Sequence, residues 1–472
     1  MRPTVPRSAA TAAALVLAAA GLAQSPRPPA ARVFTGATVV DASGAAPLAG
    51  ATIVVADGRI AAIGPRAEVA IPAGAAPPID LAGKWVVPGY VDARVHLSRT
   101  GSLYARPDLV DLRDIVPDEE ELAAARRRID AALARFLACG VTSVADAGGP
   151  VTTYEARDRA SRLEAAPRVA VCGEILSARA APAALASDAA PPIVAVDTPD
   201  EARDFVRKAL VRGPDFMTIE FPFWPENDIA DYEPIVRAAI DAAHEGGRRA
   251  AVRVRSLEPT RAAVRAGADA ICHGPEDAPL DDALLAEMRR RGVVYTASLV
   301  PFERFSEVVR ETVAPRATEK RFGDPDAIRS WDDVRRIPRD HLPDPAFFPD
   351  IDPTPALAAN VKRAVDARVT VAVGTSSGNI GVLHGPAIHR ELELLARAGL
   401  TPAEVLAAAT RGGAEFLGRA KDLGTLEIGK LADFVVLDAD PLKDAAHLAR
   451  VVLVVKGGIP FDPAALVPSP PR

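Results

Sequence analysis

The sequence predicts an α/β protein: a (β/α)8 TIM-like barrel carrying a small, discontinuous β-sandwich domain built from both ends of the chain. Three observations predict it. Eight short β-branched or apolar runs alternate with helical runs between residues 86 and 418, the pattern of parallel strands returned by helices. Short β patterns flank that region at 32–85 and 419–465. The chain has 472 residues, 49% hydrophobic and 25% charged, about right for a large barrel plus a smaller domain.

The elements follow in order. Residues 1–23 read as an export signal, with Arg2 and Arg7 ahead of a short apolar run and Gly21-Leu22-Ala23 as the cleavage site. Cleavage after Ala23 predicts a periplasmic or secreted protein. The run is too short for a good membrane span, and no later stretch spans either. Residues 24–31 are a linker. In the first β region, Asp57-Gly58 between two apolar runs is a hairpin signal. The barrel strands are expected at Val86–His96, Val141–Asp146, Arg168–Cys172, Phe216–Phe221, Ala251–Arg255, Ala270–His273, Val293–Ser298 and Val369–Val373. Helices are expected at Glu119–Cys139, Glu201–Arg212, Tyr232–His244 and Pro259–Ala266. An insertion, 301–355, follows the seventh strand and would lie over the barrel mouth, as a lid or as surface decoration.

The bulk properties exclude some functions. A net charge of −6 without a basic run gives no nucleic-acid signal. Cys139, Cys172 and Cys272 form neither a disulfide framework nor a zinc pattern and read as small buried apolar residues.

Several ordered motifs then carry a resemblance. They are Val87-Pro88-Gly89 with Val91-Asp92-Ala93, Ala270 with His273-Gly274, Gly374-Thr375, His384-Gly385, His389-Arg390-Glu391-Leu392, and Gly429-Lys430 with Ala432-Asp433. Together they resemble the amidohydrolase superfamily, most closely its secreted imidazolonepropionase-like and prolidase-like members. The resemblance implies a barrel with one or two divalent metals at its C-terminal mouth. Its metal ligands come from His-x-His on the first strand, a lysine on the fourth, and histidines on the fifth and sixth. An aspartate on the eighth is the base.

At four of these six positions the chain departs: Arg94 beside His96, Thr218, Arg253 and Ser376, leaving His96 and His273. Arginine offers a metal no lone pair. A guanidinium about 4 Å from a divalent ion is disfavoured by roughly 8 kcal/mol at an effective dielectric of ~20. Two histidines fall short of the three protein ligands usual for catalytic zinc. A serine is no base unless another base activates it. Glu220 shares the strand face of Thr218, as a replacement carboxylate or as an ion-pair partner of Arg94 or Arg253. Asp92 and Asp146 are further candidates to neutralise the arginines. Arg255 lies further along the strand of Arg253, toward the rim. His384 and His389 read as structural.

Two functions stay open. In one, the barrel is a pseudoenzyme without a metal cofactor. Arg94, Arg253, Arg255, His96, His273 and Thr218 would line a pocket for a small carboxylate or phosphate, or the chain would pair with an active homologue or itself. In the other, it hydrolyses amide, cyclic amide or peptide-like C–N bonds at a rebuilt site. Glu220 and Ser376 would then be catalytic, with one zinc or other divalent ion on His96 and His273, or no metal.

Overall fold

The computed structural model describes residues 31–178, 191–221, 228–337 and 353–467. The export signal, nearly all of the linker and the end of the insertion lie outside the described residues.

Eight parallel strands form the barrel: Tyr90–Val95, Val141–Asp146, Arg168–Val171, Phe216–Glu220, Arg249–Val254, Ala270–His273, Val294–Ala297 and Val371–Val373. The third strand breaks at Cys172-Gly173-Glu174 and resumes as Ile175–Ala178, which pairs with the fourth at Ile219 and Glu220. Two hydrogen bonds close the ring between the eighth and first strands. Ser376 N donates to Arg94 O at 2.8 Å, and His96 N donates to Ser377 O at 2.7 Å. Alternation sets the two faces of each strand. On the fourth, Met217 and Ile219 join the large core under the helices, while Phe216 joins an inner cluster with Ala93, Ala251, Ala270, Cys272 and Ala372.

The sandwich is closed from one continuous eight-stranded sheet drawn from both chain ends. It folds back so that Ile60 N donates to Lys430 O, and Phe34 meets Phe434 edge to face at 5.0 Å. Phe434–Leu437 is buried on both faces. Phe434 and Val436 enter the sheet domain's own core, and Val435 and Leu437 enter the barrel's core. That explains its unbroken apolar sequence.

Two expectations need correction. The expected strand Val86–His96 is two strands. Trp85–Pro88 belongs to the sheet domain, where it pairs with Phe434–Leu437, and the barrel begins at Tyr90. The turnover is at Gly89, whose N–H donates to Asp433 O at 2.9 Å while Tyr90 N donates to Gly140 O at 3.0 Å. The expected helix Glu119–Cys139 is also two, Asp118–Arg127 and Ile129–Ala138, broken at Arg128 (φ −99°, ψ 4°). Arg128 instead reaches out to Asp324 and Asp326 of the insertion.

The described part of the insertion is a packed layer. Helices Val300–Val309, Ala317–Phe322 and Pro325–Ser330 lead into a 3-10 turn, Trp331–Arg336. Val308, Val334 and Ile337 pack on Leu103, Val110 and Leu112 of the loop after the first barrel strand, and Trp331 Nε1 donates to Gly101 O at 3.1 Å. Arg304, 1% exposed, holds Glu319 and Glu307 beneath this layer.

Gly89 offers a test of how the two domains join. A Cβ there would sit 2.2 Å from Thr142 Oγ1 and 2.6 Å from its Cγ2. Gly89→Ala should lower stability by about 1–3 kcal/mol, read from the urea midpoint, and Thr142→Ala in the same chain should recover part of the loss. An unchanged midpoint in Gly89→Ala contradicts this packing.

Candidate functional site at the barrel mouth

The expected site residues meet at the C-terminal ends of the strands, where barrel loops converge. Arg94 is 1% exposed. Its Nε donates to Ser376 Oγ at 2.9 Å, and its Nη2 lies 3.5 Å from His96 Nε2. Gly374 packs closely against the base of this side chain. A Cβ on Gly374 would stand 2.7 Å from Arg94 Cβ and 2.7 Å from Thr296 Cγ2.

Hydrogen bonding fixes the state of His96. Its Nδ1 lies 2.9 Å from Gly148 O, which can only accept, so Nδ1 carries the proton and Nε2 turns its lone pair to Arg94. Burial first, then the charge of Arg94, holds the His96 imidazole well below its ordinary range, and the same two causes act on His273. Both rings are therefore neutral near pH 7. His273 has left-handed backbone (φ +70°), its ring packs edge to face on Phe302, and its Nδ1 has no partner.

The carboxylates divide between the arginines and the loops. Glu220 Oε2 is 2.5 Å from Arg253 Nη1, both buried, so the ion-pair role is the one the geometry brings together. Asp92 accepts from Thr375 N at 2.9 Å and Thr375 Oγ1 at 2.6 Å; burial pushes its carboxyl up to about 7. Asp146 accepts from Leu97 N at 2.7 Å and Gly148 N at 3.2 Å; burial pushes it up to about 6. Neither is hydrogen-bonded to the Arg94 guanidinium. Arg255 reaches the rim, bidentate to Glu276 at 2.6 and 2.5 Å and 5.7 Å from the centre of the Phe302 ring. Thr218 lies at full burial on the fourth strand, one step inward from Glu220. His384 Nε2 donates to His96 O at 3.2 Å and His389 Nε2 to Cys139 O at 3.0 Å, which ties the last loop and helix to the barrel.

Two residues of the mouth escaped sequence reasoning. Arg106 Nη1 donates to Asn379 Oδ1 at 2.8 Å, and its Nε donates to Asp108 Oδ1 at 2.6 Å. With His96, Arg99, Gly148 and Arg253 these line a cavity of about 40 Å³. Both sit on loops, where no strand or helix period marks them. The only signal is their position after the first and eighth strands.

A divalent metal does not fit this donor set. The lone pair of His96 is turned to a guanidinium, Glu220 is committed to Arg253, and Ser376 Oγ accepts from Arg94. Among the described residues, no three His, Cys, Asp or Glu groups are placed to hold an ion together. Two arginine charges in the same space oppose a cation directly.

Comparison with known proteins gives a consistent picture. Residues 85–459 match the Amidohydrolase family. An imidazolonepropionase of Chromobacterium violaceum is 27% identical over 435 residues, covering 86% of this chain and 90% of that protein. An uncharacterized protein of Mycobacterium tuberculosis is 27% identical over 390 residues, covering 81% and 86%. Among solved structures, a putative prolidase from Bifidobacterium longum aligns with a TM-score of 0.66 at 28% identity, covering 92% of this chain and 95% of that one. Molinate hydrolase aligns with a TM-score of 0.71 at 21% identity over 94% and 97%, a likeness of fold.

The Glu220–Arg253 pair makes a quantitative prediction. Glu220→Ala leaves a buried guanidinium without its carboxylate and should cost about 3–5 kcal/mol. Glu220→Leu combined with Arg253→Met should return stability to near or above that of the parent. Chemical denaturation of the three proteins checks this. A single variant as stable as the parent would show that the pair does not form.

Proposed function

The chain belongs to the amidohydrolase family, and from that premise we propose that an arginine-centred anion site stands where the family's metal-dependent chemistry takes place. The observation that carries this reading is the placement of Arg94 and Arg253, inward and buried, at positions where the family resemblance implies histidine ligands. Guanidinium groups supply fixed positive charge and planar donors suited to carboxylate or phosphate. Arg106, Arg253 and Asn379 line the small cavity with donors, the two guanidiniums each also paired with a carboxylate, Asp108 and Glu220. The ligand in this reading is a small molecule with one carboxylate or phosphate. The protein binds it without the metal-activated water that the family resemblance implies.

The competing reading is a hydrolase of C–N bonds that uses Glu220 and His273 without metal. The activities named for relatives such as imidazolonepropionase and molinate hydrolase favour it. Against it stands the commitment of Glu220 to Arg253, which lowers its availability as a base. No helix among the described residues is long and apolar enough to cross a membrane. Export, proposed on the Arg2–Ala23 segment, would place the binding site in the periplasm or outside the cell.

Thermal-shift titration with small carboxylates and phosphates tests the proposal. The expected result is a concentration-dependent rise in Tm that weakens at least about tenfold in apparent affinity in Arg106→Met, the loss of one charge-assisted contact. A parallel assay follows cleavage of dipeptide and cyclic amide substrates. Turnover that disappears in Glu220→Gln would overturn the binding reading in favour of the hydrolase.

A further inference from the structure

We propose that residues 325–336 of the insertion position Arg106, so that Ser330 and Trp331, which do not line the cavity, set how tightly the mouth binds an anion. The effect on affinity rests on the binding reading above; the placement of Arg106 does not.

Arg106 lies on the loop between the first barrel strand and helix Asp118–Arg127. Residues 96–117 have no strand or helix of their own. Such a loop is ordered only where other segments bind it. Gly101 is where three segments meet. Its N–H donates to Gly378 O at 3.1 Å, and its carbonyl accepts from Gly381 N at 3.1 Å and from Trp331 Nε1 at 3.1 Å. Its left-handed backbone (φ +83°), and a Cβ that would stand 2.6 Å from Val382 O, favour glycine there. Two residues on, the buried Leu103 N donates to Ser330 Oγ at 2.9 Å, and Ser330 Oγ donates to Ala327 O at 2.6 Å. Tyr104 OH donates to Asp333 Oδ2 at 2.9 Å. Glu121 binds the same loop from the helix side. It accepts from Thr100 N and Oγ1, both at 2.7 Å, and from Ser102 Oγ at 2.9 Å.

The support reaches Arg106 through its own backbone. Arg106 O accepts from Leu109 N and Val110 N, both at 3.0 Å. Val110 and Leu103 pack with Val308, Val334 and Ile337 of the insertion. Asp108 on Nε and Asn379 on Nη1 then aim the guanidinium. Asn379 lies between Gly378 and Gly381, the two residues bonded to Gly101. The two loop residues that line the cavity therefore share one support. A guanidinium held in place before a ligand arrives loses less freedom on binding it. In this role the described part of the insertion is a brace for the mouth.

Thermal-shift titration with acetate and with inorganic phosphate is run on the parent, Ser330→Ala, Arg106→Met and the double variant. Ser330→Ala should weaken binding about three- to tenfold, the equivalent of one hydrogen bond. In the Arg106→Met background it should weaken binding no further, because its effect passes through Arg106. Unchanged affinity in Ser330→Ala, or an equal loss in both backgrounds, overturns the proposal. A second readout needs no anion: the rate at which phenylglyoxal modifies Arg106, followed by peptide mass spectrometry. It should rise about threefold or more in Ser330→Ala, as local opening frees the side chain. If the parent binds neither probe, the anion reading of the mouth fails and this rate alone decides the placement of Arg106; equal rates overturn it. Tyr104→Phe, which removes only the bond to Asp333, is measured in the same way if Ser330→Ala does not fold.

Discussion

The constraint on which the mouth of this barrel depends is the burial of a guanidinium on the barrel axis. Arg94 cannot lose its charge as a histidine can, so everything near it is arranged around a fixed cation. Gly374 has no side chain because Arg94 and Thr296 already fill the space where one would project. Ser376 presents an oxygen to Arg94 Nε, and His96 turns its unprotonated nitrogen toward Nη2. The neutrality of both surviving histidines follows from the same charge together with burial. One arginine on the first strand thus constrains what three other side chains can do.

A second arginine extends the effect. Arg253 draws Glu220 into a buried pair, which removes the one carboxylate on the fourth strand that could serve a metal or act as a base. The remaining acids hold the frame instead. Asp92 anchors Thr375, and Asp146 anchors the loops after the first two strands. The charged groups at this mouth are guanidinium side chains, which cannot coordinate and activate a water as a bound metal does. The packed layer of residues 300–337 sits over the loop after the first strand, so Arg106 and Asn379 approach Arg253 from ordered segments.

Much of this was legible in the sequence where periodicity or spacing carries information. The eight barrel strands were readable because each is short, apolar and bounded by helical runs. Arg94, Thr218, Arg253 and Ser376 were readable because ordered motifs fix their positions. The handover at Gly89 was not. Trp85–Pro88 and Tyr90–Val95 are both buried on both faces, so no change in alternation marks where one sheet ends and the next begins. The break at Arg128 was hidden for a related reason, since arginine is a good helix former and only its contacts with the insertion explain it. Arg106 and Asn379 sit on loops, and pairing between loops far apart in sequence leaves no local pattern.

Zinc titration by calorimetry, on the parent and on a variant carrying Arg94→His, Arg253→His and Ser376→Asp, asks whether the buried arginines are what keep a metal out of this mouth. The parent should give no binding heat and the variant a stoichiometric site, because restoring imidazoles and a carboxylate removes the opposing charges and returns the lone pairs. A parent protein that takes up one zinc per chain with micromolar or tighter affinity would contradict it.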